Sequence, residues 1–290
     1  MKKLKEHGIV VPDGRLTAYS IGQGPDVLFL HGGPGDTHEY MARMAEPLFK
    51  DFCCIFFDQR GTGKSSGFSR TKNSFTVEAL LSDLIAIKSQ LGLRNPALVG
   101  HSWGAMYALF ACIQNPESWD RAALISMGPL DSEMGEQTAN HLVSVLTEDE
   151  KEIWQRLRSD RNKARDEQNI GLVEKLDKQM MSLRVKAWVF NSELRSKFLD
   201  EYFQDLPPDR EINKLIWENV EGWFSWDSLS RIKRKLWVCS GRNDSVPVAQ
   251  LERVAQKTPH TKISIFDRCG HIPWLEHKTS FYSEMREFLS

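Results

Sequence analysis

The sequence lacks long apolar runs, a surplus of one charge and an abundance of cysteine. No apolar run approaches the roughly 18 residues that a membrane-spanning helix requires, and no signal-peptide pattern follows the basic start of the chain. The 38 lysine and arginine residues are balanced by 39 aspartate and glutamate residues. Because nucleic acids and anionic membranes attract an excess of positive charge, we expect neither as a partner.

Cysteine is present five times, an odd number that does not fit a disulfide framework. Cys53 and Cys54 lie within the apolar run 53–57, which indicates buried, reduced thiols and favours a cytoplasmic protein. No metal-ligand spacing links the scattered histidines, so we expect no metal and no other cofactor. These histidines are His7, His38, His141, His260 and His277.

The most informative motif is Gly100-His101-Ser102-Trp103-Gly104, which fits the pattern Gly-x-Ser-x-Gly. It follows the apolar run 97–99, typical of a buried strand, and precedes 105–112, which predicts a helix. In this pattern a sharp turn from strand to helix exposes the serine hydroxyl, and the glycines relieve backbone crowding. The motif predicts that Ser102 is a nucleophile. The alternative is that Ser102 merely caps the helix.

An acid and a histidine follow two later predicted strands. Asp244 comes after the run 236–240, and His271 comes after the run 262–266. Parallel sheets build their active sites at the carboxyl ends of the strands, so we expect both side chains to meet Ser102 there. His271 would accept the serine proton, and Asp244 would orient the imidazole. Asp131, which also follows a predicted strand, is the rival acid.

A fourth motif, His31-Gly32-Gly33-Pro34-Gly35, follows the apolar run 27–30. A loop this rich in glycine can turn a backbone N–H toward a substrate oxygen, as an oxyanion hole requires. The N–H of Trp103, directly after the predicted nucleophile, is expected to be the first donor.

These motifs resemble the α/β-hydrolase family, and within it the proline iminopeptidase-like branch. The segments that carry the resemblance are 31–35, 58–65, 100–104, 241–244 and 270–271. The resemblance spans roughly residues 8–130 and 228–290, and the chain order serine, aspartate, histidine agrees with it. It implies a serine hydrolase with the α/β-hydrolase fold, a mostly parallel doubly wound sheet with an inserted helical cap. It also implies Gly33 as the second oxyanion donor, with Gly32 left open.

The organisation of the chain changes in its middle. Predicted strands and helices alternate up to about residue 130 and again from about residue 228. Between these limits the sequence is helical in propensity and heavily charged, without predicted strands. We therefore predict a hydrolase core of residues 1–130 and 228–290, with residues 131–227 as a helical cap, or lid, over the site.

One segment resembles a phosphate-binding loop. Gly61-Thr62-Gly63-Lys64-Ser65 fits the end of that pattern, but Asp58 stands where the pattern requires glycine. We therefore interpret Asp58 and Arg60 as residues that brace a structural loop near the site.

The predicted chemistry is acyl transfer to water, which amides, esters and thioesters share. The resemblance implies an aminopeptidase of the proline iminopeptidase type, which releases N-terminal residues from short peptides. Its substrate ammonium needs a carboxylate, and the candidates are Glu193, Glu218 and Glu221, with Trp188 nearby. Ser245 replaces a glutamate that some relatives carry, which favours uncharged esters or lactones. A slow-turnover ligand receptor on the same fold is the third hypothesis.

Overall fold

The computed structural model describes residues 3–202 and 208–290, which form a sheet flanked by helices. The strands are β1 (Lys5–Val11), β2 (Gly14–Ile21), β3 (Asp26–Leu30), β4 (Cys53–Phe57), β5 (Ala97–His101), β6 (Arg121–Ile125), β7 (Lys235–Gly241) and β8 (Thr261–Phe266). Within the described ranges these strands form one sheet in the order β1-β2-β4-β3-β5-β6-β7-β8. Strand β2 pairs antiparallel with β1 and β4, and every later pair is parallel. The predicted fold class is confirmed.

Helices follow the strands in the order expected for this class. They are α1 (Glu39–Ala45), α2 (Val77–Gln90), α3 (Trp103–Gln114), α4 (Ser132–Ser144), α5 (Glu148–Asp166), α6 (Ile170–Trp188), α7 (Glu193–Tyr202), α8 (Arg210–Val220), α9 (Val248–Lys257), α10 (Pro273–Glu276) and α11 (Lys278–Leu289). Two large apolar clusters of the core are built from residues of the sheet and of the helices beside it.

The strand order fixes where a ligand can bind. The chain runs from β3 to β4 on one side and then returns to place β5 on the other side of β3. The connections therefore diverge between β3 and β5, and this divergence opens a crevice at the carboxyl ends of the two strands. Leu30 and His101 end these strands, so the glycine-rich loop and Ser102 both emerge at the crevice.

Between β6 and β7 the described residues contain helices but no strand. Helices α5 and α6 pack on each other around a separate small apolar cluster that includes Trp154 and Met180. Helix α8 packs on the main core, and the loop before it bonds to the glycine-rich loop: the Asp209 N–H donates to the Gly35 carbonyl oxygen at 2.8 Å. These helices lie where the cap is predicted, and its boundaries at 131 and 227 stay a prediction.

No helix in the described part of the chain is long and apolar enough to cross a membrane. All five cysteines are free thiols, four of them buried and Cys53 half-buried. The cytoplasmic location stays a prediction.

The loop after β4 is held by buried charges. The Arg60 guanidinium bonds to both oxygens of Asp83, at 2.8 and 2.7 Å, and to Asp13 at 3.0 Å. The Asp58 carboxylate accepts bonds from the Lys64 N–H and from the His38 side chain. A phosphate therefore has no place here, because a carboxylate already occupies the turn.

Replacing Asp83 by Asn tests this brace. Both partners are buried, so the change leaves the Arg60 charge without its bidentate partner and should lower the free energy of unfolding by about 3–5 kcal/mol in urea titrations. The exposed Glu117, paired with Arg234, is the control, and Glu117→Gln should cost under about 1 kcal/mol. Equal effects of the two changes would contradict a stabilising role for the buried pair.

Candidate active site

Ser102 lies in a sharp turn between β5 and α3, with φ 56° and ψ −121°. This positive φ is rare for a residue other than glycine and indicates a strained turn held by its surroundings. The Ser102 N–H donates to the Ile125 carbonyl oxygen at 3.0 Å, and the Gly128 N–H donates to the Ser102 carbonyl oxygen at 3.2 Å. The side chain of Ser102 makes no capping hydrogen bond, although the residue occupies the N-cap position. The hydroxyl therefore faces a cavity rather than a helix end.

The two glycines of the motif are required by close backbone approach. A Cβ atom at Gly100 would lie 2.2 Å from the Gly104 carbonyl oxygen, and one at Gly104 would lie 2.1 Å from the Leu30 carbonyl oxygen. Both neighbours are backbone atoms, so no side-chain rotation relieves the clash. The start of α3 thus packs directly onto β3 and β5, as the motif predicts.

Asp244 and His271 meet at the carboxyl end of the sheet. The His271 Nδ1 atom lies 2.9 and 3.0 Å from the two Asp244 carboxylate oxygens, and both side chains are buried. Asp244 also accepts a bond from the Ser240 hydroxyl at 2.5 Å and one from the Val246 N–H at 3.3 Å. Burial alone would raise the pKa of Asp244, but the His271 charge and these bonds lower it to about 2. The ionised carboxylate holds the proton on Nδ1 and leaves Nε2 as an acceptor.

The rival acid, Asp131, serves another purpose. Its carboxylate accepts the Met134 N–H at 2.9 Å and so caps α4, and it accepts the Trp226 indole N–H at 3.0 Å. His271 contacts Asp244, and the role of Asp244 as the catalytic acid stays a prediction.

A series of hydrogen bonds connects the glycine-rich loop to the loop that carries Gly270 and His271, here called the histidine loop. The Gly32 N–H donates to the Tyr40 hydroxyl, which lies 3.0 Å from His101 Nδ1, and His101 Nε2 lies 3.2 Å from the His271 carbonyl oxygen. Burial holds the pKa of His101 well below its usual value, so the ring is neutral. Its Nε2–H then donates to His271, and its Nδ1 accepts from Tyr40.

These hydrogen bonds help to decide between the Gly32 and Gly33 N–H groups as an oxyanion donor. The Gly32 N–H is committed to Tyr40. Gly33 adopts a φ of 110° and its N–H makes no hydrogen bond with a described residue. Trp103 begins α3, and the first N–H groups of a helix have no partner within it. Gly33 and Trp103 are therefore the candidate donors beside Ser102.

A cavity of about 240 Å³ covers Ser102 and His271. The glycine-rich loop and α1 line one part of it, and residues of α6, α7 and α8 line another. Much of the lining is charged or aromatic and includes Asp36, Glu39, Arg184, Trp188, Arg210 and Trp274. The described residues contain no cluster of side chains that could hold a metal ion.

Trp188 lines the cavity that contains Ser102. Its indole stacks on the His271 ring, with 5.9 Å between centroids and 28° between planes. Its carbonyl oxygen accepts the His271 N–H at 2.7 Å, and a Cβ atom at Gly270 would lie 2.4 Å from that oxygen. The end of α6 therefore touches the histidine loop through backbone as well as ring.

The predicted glutamates lie elsewhere. Glu193, Glu218 and Glu221 are exposed, and none of them lines the cavity. Helix α8 turns Ile212 and Ile216 into the core, which places Glu218 on the opposite, solvent face. The prediction that these glutamates bind the substrate relied on their proximity to tryptophan in the sequence. It did not take the helical periodicity into account, which decides the face on which a residue lies.

Sequence reasoning missed the acids that do line the cavity. Asp36 and Glu39 are half-buried and follow the glycine-rich loop directly. Burial raises the pKa of Asp36 to about 6, although Arg210 opposes the shift. Their position in the sequence, directly after the predicted oxyanion loop, could have identified them as residues near the site.

The chain belongs to the α/β-hydrolase family, because a family model described as alpha/beta hydrolase fold matches residues 25–278. It is a hydrolase of this family, and the predicted resemblance to the proline iminopeptidase-like branch is confirmed. Proline iminopeptidase of Heyndrickxia coagulans is 24% identical over 281 residues, which cover 93% of this chain and 92% of that protein.

Solved structures share the fold. Proline iminopeptidase of Mycobacterium smegmatis has a TM-score of 0.73 and 17% identity, with 98% of this chain and 97% of that chain covered. An esterase from Exiguobacterium antarcticum also has a TM-score of 0.73, with 18% identity and coverage of 98% and 99%. Peptidase and esterase thus share this architecture, and the substrate must be argued from the cavity.

The tight packing at Gly104 is directly testable. Gly104→Ala should lower the free energy of unfolding by about 1–3 kcal/mol, because the added methyl group collides with the Leu30 carbonyl. Gly135 in α4 is the matched control, since a Cβ there meets no described atom within 4 Å. Gly135→Ala should be neutral or stabilising by up to about 1 kcal/mol. Unchanged urea unfolding of the Gly104 variant would refute the packing argument.

Proposed function

We propose that this protein hydrolyses acyl compounds through a covalent intermediate on Ser102. His271 is the general base, Asp244 orients it, and the N–H groups of Gly33 and Trp103 form the oxyanion hole. The observation that carries the proposal is that Ser102 and His271 line one cavity while an ionised Asp244 holds His271 Nδ1. A serine hydroxyl is a weak nucleophile, and this arrangement supplies the base that it needs.

The reaction proceeds in two halves. His271 Nε2 takes the Ser102 proton as the serine oxygen bonds to the substrate carbonyl carbon, and the resulting oxyanion accepts the N–H groups of Gly33 and Trp103. The intermediate collapses, the bond to the leaving group breaks, and His271 returns the proton to the departing nitrogen or oxygen. Water then attacks the acyl-enzyme with the same base. The acid product leaves and Ser102 regains its proton.

The substrate we propose is a short peptide, cleaved after its N-terminal residue in the manner of a proline iminopeptidase. Full-length relatives with that activity support this specificity. The ammonium of the substrate would bind Asp36, with Glu39 nearby, because these carboxylates line the cavity. An ammonium in a partly desolvated pocket requires such a charged partner.

Hydrolysis of uncharged esters or lactones is the second candidate. The Ser245 hydroxyl donates to Asp244 at 3.2 Å and is buried, so this position offers no carboxylate to a substrate amine. This feature favours a substrate without an ammonium group.

Three substitutions test the chemistry. Ser102→Ala and Asp244→Asn should each lower kcat by about 10⁴-fold or more, because the nucleophile or the histidine orientation is lost. Asp131→Asn is the matched control and should keep kcat within about twofold, since Asp131 caps α4. The measurement is kcat of each variant and of the wild type, from steady-state kinetics on any substrate that the wild type hydrolyses. Activity that survives Asp244→Asn but not Asp131→Asn would overturn the assignment of the acid.

A second set of assays tests the substrate. Prolyl p-nitroanilide should be hydrolysed and its N-acetyl derivative should not. Asp36→Asn should raise KM for the free amine about 10-fold or more, whereas Glu193→Gln, an exposed control, should leave it unchanged.

The pH dependence of KM supplies a further readout. Because the pKa of Asp36 is raised to about 6, its charge is lost as pH falls through that value. KM for the free amine should therefore rise at lower pH in the wild type and not in Asp36→Asn. Brisk turnover of p-nitrophenyl esters with no cleavage of prolyl amides would instead select the second candidate.

A further inference from the structure

A buried carboxylate on α6 holds two arginines. The Asp177 side chain is 8% exposed, and its two oxygens lie 3.3 Å from Arg161 Nη1 and 3.1 Å from Arg210 Nε. Each oxygen therefore has one arginine partner. A third guanidinium lies near enough to feel the Asp177 charge but forms no salt bridge with it.

Arg184 is that third guanidinium. It lies seven residues after Asp177, two turns along the same helix, and its guanidinium is 5.6 Å from the centre of the Trp154 ring. Within the described residues it forms no salt bridge, and its side chain lines the cavity that contains Ser102. Burial, with repulsion from Arg210 and Arg161, lowers the pKa of Arg184 to about 10.

The charges of the cavity wall are unequal. Arg43, Arg184 and Arg210 line it against Asp36 and Glu39, so the described lining has one positive charge in excess. Arg210 is paired with Asp177, whereas Arg184 has no salt-bridge partner in the part of the chain that the structure describes. A partly desolvated charge without a partner is costly, and an anion in the cavity would offset that cost.

We propose that Arg184, with Arg210 beside it, binds a carboxylate of the substrate, so that the preferred substrate carries a free carboxylate in addition to the bond that is cleaved. This inference rests on the proposed function for its catalytic consequence. A guanidinium suits a carboxylate because it offers two parallel N–H groups.

A matched pair of esters tests the proposal. Mono-p-nitrophenyl glutarate and p-nitrophenyl pentanoate have acyl chains of equal length and differ in a terminal carboxylate. The wild type should favour the glutarate ester at least about 10-fold in kcat/KM. Arg184→Met should remove this preference by a 10- to 100-fold loss on the glutarate ester alone, and Arg184→Lys should restore part of it.

Arg161→Met is the control. It removes a positive charge from the same Asp177 cluster, but Arg161 does not line the cavity, so the preference should change less than about threefold. Equal turnover of the two esters by the wild type would overturn the proposal. An equal loss on both esters in Arg184→Met, with unchanged circular dichroism, would also overturn it.

A binding measurement separates this inference from the proposed function. Glutarate should bind the Ser102→Ala variant in isothermal titration calorimetry, at least about 10-fold more tightly than the variant that also carries Arg184→Met. If neither these esters nor prolyl p-nitroanilide is cleaved and glutarate still binds through Arg184, the proposed hydrolysis fails and the carboxylate site stands. If both esters are cleaved equally and glutarate does not bind, the proposed hydrolysis stands and the carboxylate site fails.

Discussion

The N-terminus of α3 packs against β3 and β5 so closely that two of its neighbouring positions leave no room for a Cβ atom. This contact forces Ser102 into a positive φ and turns its hydroxyl away from the helix end. It also sets the first N–H of α3 beside the glycine-rich loop at the end of β3. Ser102 and the candidate oxyanion donors therefore share one packing constraint.

Hydrogen bonds connect this tightly packed region to the other side of the site. Tyr40 and the neutral His101 connect the Gly32 amide to the His271 backbone, and Asp244 fixes the His271 ring from the other side. His101, inside the serine motif, thus joins the loop of Gly32 to the loop of His271, which lies 170 residues after His101 in the chain. Its role is positional, because burial keeps it uncharged.

The sequence predicted those parts of the molecule that local rules determine. The glycine spacing, the apolar runs and the polar residues after strand ends led to the fold class and to the pairing of Asp244 with His271. The residues of the cavity wall were not predicted by such local patterns. Helix α8 faces the core with Ile212 and Ile216, so Glu218 points to solvent. The positions of Asp36 and Arg184 in the cavity lining follow from the tertiary arrangement, which no local sequence pattern encodes.

The hydrogen bond from the His271 N–H to the Trp188 carbonyl joins the histidine loop to the last residue of α6. The same helix carries Asp177 and Arg184, so the arginine cluster and the loop of His271 share one support. A shift of α6 would therefore move the cavity wall and the backbone of His271 together.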